Sequence, residues 1–238
     1  MSTTTLYFRI ICSFRAGGKM IGFYNYTVIL TYIGLTTSIV GITQVFNGNF
    51  NIAIFCLLGS GVCDMFDGVI ARGHKTRSES AKKFGIQIDS LCDVICFGVF
   101  PAIFNYIYTV KYNSKFSVLA TIISALFVLA GVIRLGYFNV TEEERQQKTS
   151  EVRQYYQGMP ITTVAGFLPL LYMFRNRISA LNINFAIAIN IFCVILGLLF
   201  ILDIPVKKAH KKGLIMIAII GFSMLAVLIM QHVGAISF

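Results

Sequence analysis

Four aspartates, Asp64, Asp67, Asp89 and Asp93, are the residues of this 238-residue chain whose type and spacing could do chemistry. Each lies inside an apolar run, where a carboxylate costs about 3 kcal/mol at mid-bilayer on insertion scales and marks a functional site by default. The remaining acids sit elsewhere: Glu79, Glu142, Glu143, Glu144 and Glu151 in polar connections, Asp203 at the end of a run. Helical spacing aligns the four. Asp64, Asp67, Gly68, Ala71 and Arg72 stand at i, i+3, i+4, i+7 and i+8, and Gly85, Asp89 and Asp93 at i, i+4 and i+8, so each set makes one stripe of a helix. The 72–84 connection predicts antiparallel neighbours whose acidic stripes face each other. Unpaired, four such carboxylates would repel one another, whereas one or two divalent cations would keep them ionised and bound. Oxygen-only ligation favours Mg²⁺ or Mn²⁺ over Zn²⁺, and no histidine is near enough in sequence to contest that. Gly68, Ala71 and Gly85 leave room for a ligand between the helices, and Arg72 puts a cation where a phosphate would emerge.

Three readings of these residues stay open: metal-dependent phosphate chemistry, ion or proton transport along a carboxylate relay, and polar packing between helices. Four acids on two stripes, with glycine and arginine among them, fit the first most fully.

The elements that must position them are membrane helices. The chain is 56% hydrophobic and 13% charged, and its mean hydropathy is +0.76; soluble domains carry about 25% charged residues. Runs long enough to span a bilayer, which takes about 20 residues, recur at 25–46, 50–71, 85–110, 116–138, 180–202 and 213–236. A seventh, 158–174, is shorter and holds Pro160, Gly166 and Pro169, so it reads as a kinked span or a re-entrant piece. The expectation is an all-α polytopic bundle of about seven spans. With the N-terminus in the cytoplasm, 15 of the 20 basic residues fall on the cytoplasmic side, against Lys111, Lys115, Arg175 and Arg177 opposite, and Arg134 inside a span. Dropping the seventh run would put Lys207, Lys208, Lys211 and Lys212 outside, so the charge bias supports keeping it.

The same distribution explains the net charge of +10 without nucleic acid, because the bases sit in the connections between runs, beside anionic head groups. The six cysteines lie in or beside apolar stretches and imply no disulfide framework; Cys92 and Cys96, four apart, read as core. No cleavage pattern follows residues 1–19, which read as an amphipathic surface helix or an extension upstream of Met20. Residues 20–238 then form a single transmembrane catalytic domain. Thr141–Gln157 reads as a solvated loop or a surface helix.

The pattern D-x2-D-G-x2-A-R followed by G-x3-D-x3-D, here Asp64, Asp67, Gly68, Ala71, Arg72, Gly85, Asp89 and Asp93, resembles the signature of the CDP-alcohol phosphotransferase family. The twelve residues between Arg72 and Gly85 are more than is usual there. Within the family the flanking residues are similar to the branch that forms phosphatidylserine: Asp89-Ser90 through Asp93, Phe97, Gly98 and Pro101, then Arg134-Leu135 with Phe138-Asn139, and Gly158-Met159-Pro160. The resemblance implies a six-helix core plus one extra span, a homodimer, a cell-membrane location and an active site facing the cytoplasm. It implies transfer of the phosphatidyl group of CDP-diacylglycerol to the hydroxyl of L-serine, with CMP released. It implies two divalent ions, Mg²⁺ or Mn²⁺, held by Asp64, Asp67, Asp89 and Asp93, with Asp93 also the base for the alcohol. Asp64, Gly68, Ala71, Arg72 and Gly85 would accommodate the CDP-lipid, and Arg134 and Asn139 the serine carboxylate or a substrate phosphate. Other family members transfer to inositol phosphate, glycerol phosphate or choline.

Overall fold

The first apolar run forms α1, Ile29–Phe46, and the second forms α2, Phe50–Gly73. A turn with Gly48 at φ 76° joins them, and α1 packs along α2. The close approach is built on small residues: the buried face of α1 is Thr31, Gly34, Ser38, Gly41 and Val45. A Cβ added at Gly34 would lie 3.2 Å from that of Cys63, and one at Gly41 would strike the Phe100 ring. Small residues let two backbones come together where the lipid offers no hydrophobic drive for association. The computed structural model describes residues 28–73, 78–148 and 155–207, and isolated positions between 221 and 230.

Ser78 starts the next helix by accepting a hydrogen bond from the Ala81 backbone N–H at 3.3 Å, which satisfies one of the free amides of the first turn. Helix α3, Glu79–Asp93, passes into a π-helical turn, Val94–Val99, and then α4, Phe100–Tyr112. The three make one helical run of 34 residues. A short 3₁₀ turn at Ser114–Phe116 leads into α5, Ser117–Lys148, which packs against α4 and α8, Phe185–Ile201. Between them lie a 3₁₀ turn at Ile161–Thr163, α6, Val164–Met173, with Pro169 inside it, and α7, Arg175–Ala180.

This is the all-α polytopic bundle expected from the sequence. Four helical stretches among the described residues are long and apolar enough to cross a membrane, and Ile161–Met173 and Phe185–Ile201 are shorter apolar helices. The core is a cluster that includes Ile54, Leu57, Phe97, Phe100, Phe104, Phe127, Ile161, Leu168 and Ile189. The outside of α5 is apolar as well: Val118, Leu119, Ile122, Leu126, Leu129, Val132 and Ile133 are exposed, as a lipid-facing surface requires.

The boundaries depart from expectation at four places, the first being α3, which begins at Glu79 and not at 85 because Ser78 caps it; the run 213–236 falls almost wholly outside the described residues. Helix α5 continues past 138 to Lys148, because the polar stretch that follows is itself helical and carries an Arg145–Glu142 pair at i, i+3. The run at 180–202 becomes helical only at Phe185, after Asn182 at φ 59° and the cap Asn184, whose side chain accepts from the Ala186 N–H at 2.9 Å. The weak run at 158–174 begins with extended chain: β1, Tyr155–Gln157, pairs antiparallel with β2, Pro205–Lys207. Gly158 ends β1 at φ 71°, its N–H donating to the Ile204 carbonyl at 3.0 Å. A Cβ there would stand 2.9 Å from the Phe200 carbonyl oxygen.

Gly158 therefore combines a left-handed backbone with a contact no side chain fits. Gly158→Ala should destabilise the protein by more than about 1 kcal/mol, seen as a lower unfolding midpoint in detergent; an unchanged midpoint would show that the β1–β2 corner is not held in this form.

Candidate metal and phosphate site

Three of the four aspartates converge. Asp64 on α2 and Asp89 and Asp93 on α3 each place a carboxylate oxygen within 4.8 Å of the others, and all three are half-buried. Asp89 and Asp93 lie one turn apart on the same face, and Asp93 is the last residue before the π-helical turn. Single π turns inserted in α-helices recur at functional sites.

The fourth, Asp67, lies three residues beyond Asp64, which on a helix of 3.6 residues per turn rotates it by about 60° from Asp64. It points to α1: Thr31 Oγ1 donates to Asp67 Oδ2 at 2.6 Å, and Asp67 is 5% exposed.

The two acid-bearing helices meet through their carboxylates more than through their backbones. Helix α1 packs against both α2 and α3, while α2 and α3 approach each other only sparsely. The carboxylates bridge that separation because α1, with its small-residue face, sits against both. Gly68 and Gly85 are half-buried on their helices. Ala71 and Arg72 belong to the last turn of α2, and their side chains lie outside the described residues, as do residues 74–77.

Helix α5 supplies the next set. Arg134 is 8% exposed, and its guanidinium lies over the Phe138 ring, 5.1 Å from the centroid, a cation–π geometry. Asn139 Nδ2 donates to Ser90 Oγ at 2.8 Å, beside Asp89. Ser90 is thus an interhelical acceptor. Lys83 pairs with Glu143 at 3.3 Å on the same two helices. Lys83 beside Glu143 and Ser90 beside Asn139 define an antiparallel register of α3 on α5. Extended by residue number, that register would place Arg134 near the height of Asp93, and α5 packs against the π-helical turn that follows it.

Sequence reasoning missed Thr31, whose only signal is a hydroxyl on the small-residue face of α1. It also missed a buried polar group in which Asn105 Nδ2 donates to Ser124 Oγ at 3.0 Å and Asn190 Nδ2 to Thr109 Oγ1 at 2.8 Å. That group lies about 12 residues beyond Asp93, roughly 18 Å along the helix, and ties α4, α5 and α8 together. Cys92 and Cys96 are buried core, as expected.

The donor set fits a divalent cation. Three carboxylates at this separation are all-oxygen, hard ligands, and together they attract a cation where each alone would be a poor ligand. Arg134 on α5 adds a buried positive charge to the same bundle.

Comparison with known proteins agrees. A family model described as CDP-alcohol phosphatidyltransferase matches residues 24–236. The chain is 36% identical over 162 residues to a Helicobacter pylori protein named CDP-diacylglycerol–serine O-phosphatidyltransferase, covering 68% of this chain and 63% of that protein. It is 30% identical over 220 residues to a Methanocaldococcus jannaschii protein of the same name, covering 88% and 94%. It is 30% identical over 173 residues to the archaetidylserine synthase of Methanothermobacter thermautotrophicus, covering 72% and 68%. The match thus spans less than two thirds of the Helicobacter protein's length. No solved structure gives a significant match. With its acidic motif on two facing helices and a family match across nearly its whole length, the chain belongs to the CDP-alcohol phosphatidyltransferase family.

Proposed function

We propose that this chain is a multi-pass membrane enzyme that transfers the phosphatidyl group of CDP-diacylglycerol to the hydroxyl of L-serine. The observation that carries the reading is the convergence of Asp64, Asp89 and Asp93 within 4.8 Å in a chain of this family. Serine as acceptor is supported by the names of relatives that match most of the chain, one a CDP-diacylglycerol–serine O-phosphatidyltransferase and one an archaetidylserine synthase. The excess of basic residues on the Arg72 side supports a site open to the cytoplasm, in the cell membrane. The homodimer is the assembly the resemblance implies.

Asp64, Asp89 and Asp93, with Asp67 behind them, would hold two divalent ions. Bound there, Mg²⁺ or Mn²⁺ would supply neutralisation of the pyrophosphate and of the departing CMP. The serine oxygen bonds to the β-phosphorus, the phosphoanhydride bond to CMP breaks, and the hydroxyl proton passes to Asp93. Asp93 suits that part because it ends α3, with its carboxylate beside those of Asp64 and Asp89. Arg134, braced over Phe138, would meet the serine carboxylate or the lipid phosphate. Asn139 would hold α5 to α3 through Ser90, so that Arg134 keeps its height. Gly68, Ala71, Arg72 and Gly85 would line the nucleotide's place. The reaction needs little from the protein beyond positioning and charge.

Purified protein in detergent should release CMP from CDP-diacylglycerol with serine and Mg²⁺ or Mn²⁺. Release should be absent with EDTA, and absent when inositol phosphate, glycerol phosphate or choline replaces serine; turnover with one of those would reassign the acceptor. Asp93→Asn should lower turnover about 10²- to 10⁴-fold while CDP-lipid binding persists. Loss of binding with turnover would make it a ligand for substrate and not a base. Arg134→Ala should raise the serine KM about tenfold or more, the loss of one charge-assisted contact, and an effect confined to the CDP-lipid would assign it to the phosphate.

A further inference from the structure

One member of the acidic quartet, Asp67, bonds to a residue outside the motif. Asp67 is buried, and its Oδ2 accepts from Thr31 Oγ1 at 2.6 Å. That length is characteristic of a hydroxyl donating to a carboxylate. Threonines in apolar helices ordinarily return their hydroxyls to their own helix. Thr36, Thr37 and Thr43 of α1 do so, donating to the carbonyls of Tyr32, Ile33 and Val40 at 2.8, 2.8 and 2.7 Å. Thr31, on the same helix, reaches across to α2 instead. It lies on the buried face with Gly34, Ser38 and Gly41, where the close packing of α1 on α2 brings its hydroxyl to the carboxylate.

Resting on the metal reading above, we propose that Thr31 is a positioning residue. By occupying Oδ2 of Asp67 it fixes the rotamer of that carboxylate, so that Asp67 meets a divalent cation as a preset ligand beside the trio. Hydrogen-bond partners that orient metal ligands ordinarily contribute about 10- to 100-fold in metal affinity or activity. Thr31→Val keeps the shape and removes the donor, and Thr31→Ser keeps the donor.

The test is Mn²⁺ binding to the purified full chain, followed by the electron paramagnetic resonance of free Mn²⁺, together with the metal-free unfolding midpoint and the Mn²⁺ dependence of turnover. Thr31→Val should weaken Mn²⁺ binding about 10- to 100-fold and raise the Mn²⁺ concentration needed for half-maximal turnover, with most of the maximal rate recovered at saturation. Thr31→Ser should bind Mn²⁺ close to wild type. A Thr31→Val protein with a lowered metal-free midpoint but wild-type Mn²⁺ affinity would show a merely structural bond and overturn the inference. If Thr31→Val does not fold, Thr31→Ala against Thr31→Ser makes the same comparison. A wild-type protein that binds no Mn²⁺, or an Asp89→Asn protein that binds it equally well, would overturn the metal reading itself and this inference with it.

Discussion

Like charges forced together in a medium of low polarity are the constraint around which this bundle is arranged. Two unit charges about 5 Å apart repel by roughly 3 kcal/mol at an effective dielectric near 20. Asp64, Asp89 and Asp93 make three such pairs within 4.8 Å, in a chain where each carboxylate already costs about 3 kcal/mol to insert. Apolar packing between helices does not repay that cost, since lipid tails are as apolar as the residues they touch. Counter-charge between the acids would relieve that repulsion, and the rest of the acid-bearing end holds the acids in place. Helix α1 sits against both acid-bearing helices, Thr31 holds Asp67, and Asn139 holds α3 beside Asp89.

The two ends of the bundle are built on opposite principles. At the end away from the acids, aromatic rings interlock: Phe50, Phe104, Tyr108, Tyr172 and Phe185 meet at centroid distances of 4.8 to 6.0 Å. Tyr172 OH donates to Asn51 at 2.7 Å. Beside them the amides of Asn105 and Asn190 join α4, α5 and α8. Single interhelical hydrogen bonds in a membrane contribute only about 0.6 kcal/mol on average, but several of them together with ring packing make a closed base. At the acid end α2 and α3 meet through the carboxylates of Asp64, Asp89 and Asp93. The closed base leaves the carboxylates at the opposite end of the bundle, about 18 Å along the helix from the Asn105 group.

How much of this was legible follows from the range of the interactions. The acidic stripes could be read because their periodicity is local and their presence in apolar runs is costly, and the structure brings three of the four together. That α1 would pack against both of their helices could not be read, because the small-residue face of Thr31, Gly34, Ser38 and Gly41 names no partner. The Thr31 bond was hidden for a sharper reason: four threonines on α1 are equivalent by sequence, and three of them bond within their own helix. Ser90 was opaque in the same way, its partner Asn139 lying 49 residues on. Hydropathy located the runs but misjudged their ends, at Lys148 because a polar helix is invisible to it, and at Gly158 because the fold there depends on strand pairing and a left-handed backbone.

The register of α5 on α3 bears on selectivity within the family. Chemistry at phosphorus is common to every acceptor, so discrimination must come from groups that meet the alcohol, and serine differs from choline in carrying a carboxylate. The contacts Lys83–Glu143 and Ser90–Asn139 are exposed or half-buried and individually weak, yet they fix the height of α5 along α3. That height decides where a buried guanidinium stands relative to the Asp93 carboxylate. In the proposed reaction, Asp93 as base and Arg134 as cation would meet the two ends of serine, its hydroxyl and its carboxylate. A slip of one turn in α5 would move the cation by about 5.4 Å, more than a hydrogen bond can span, and would separate acceptor binding from proton removal.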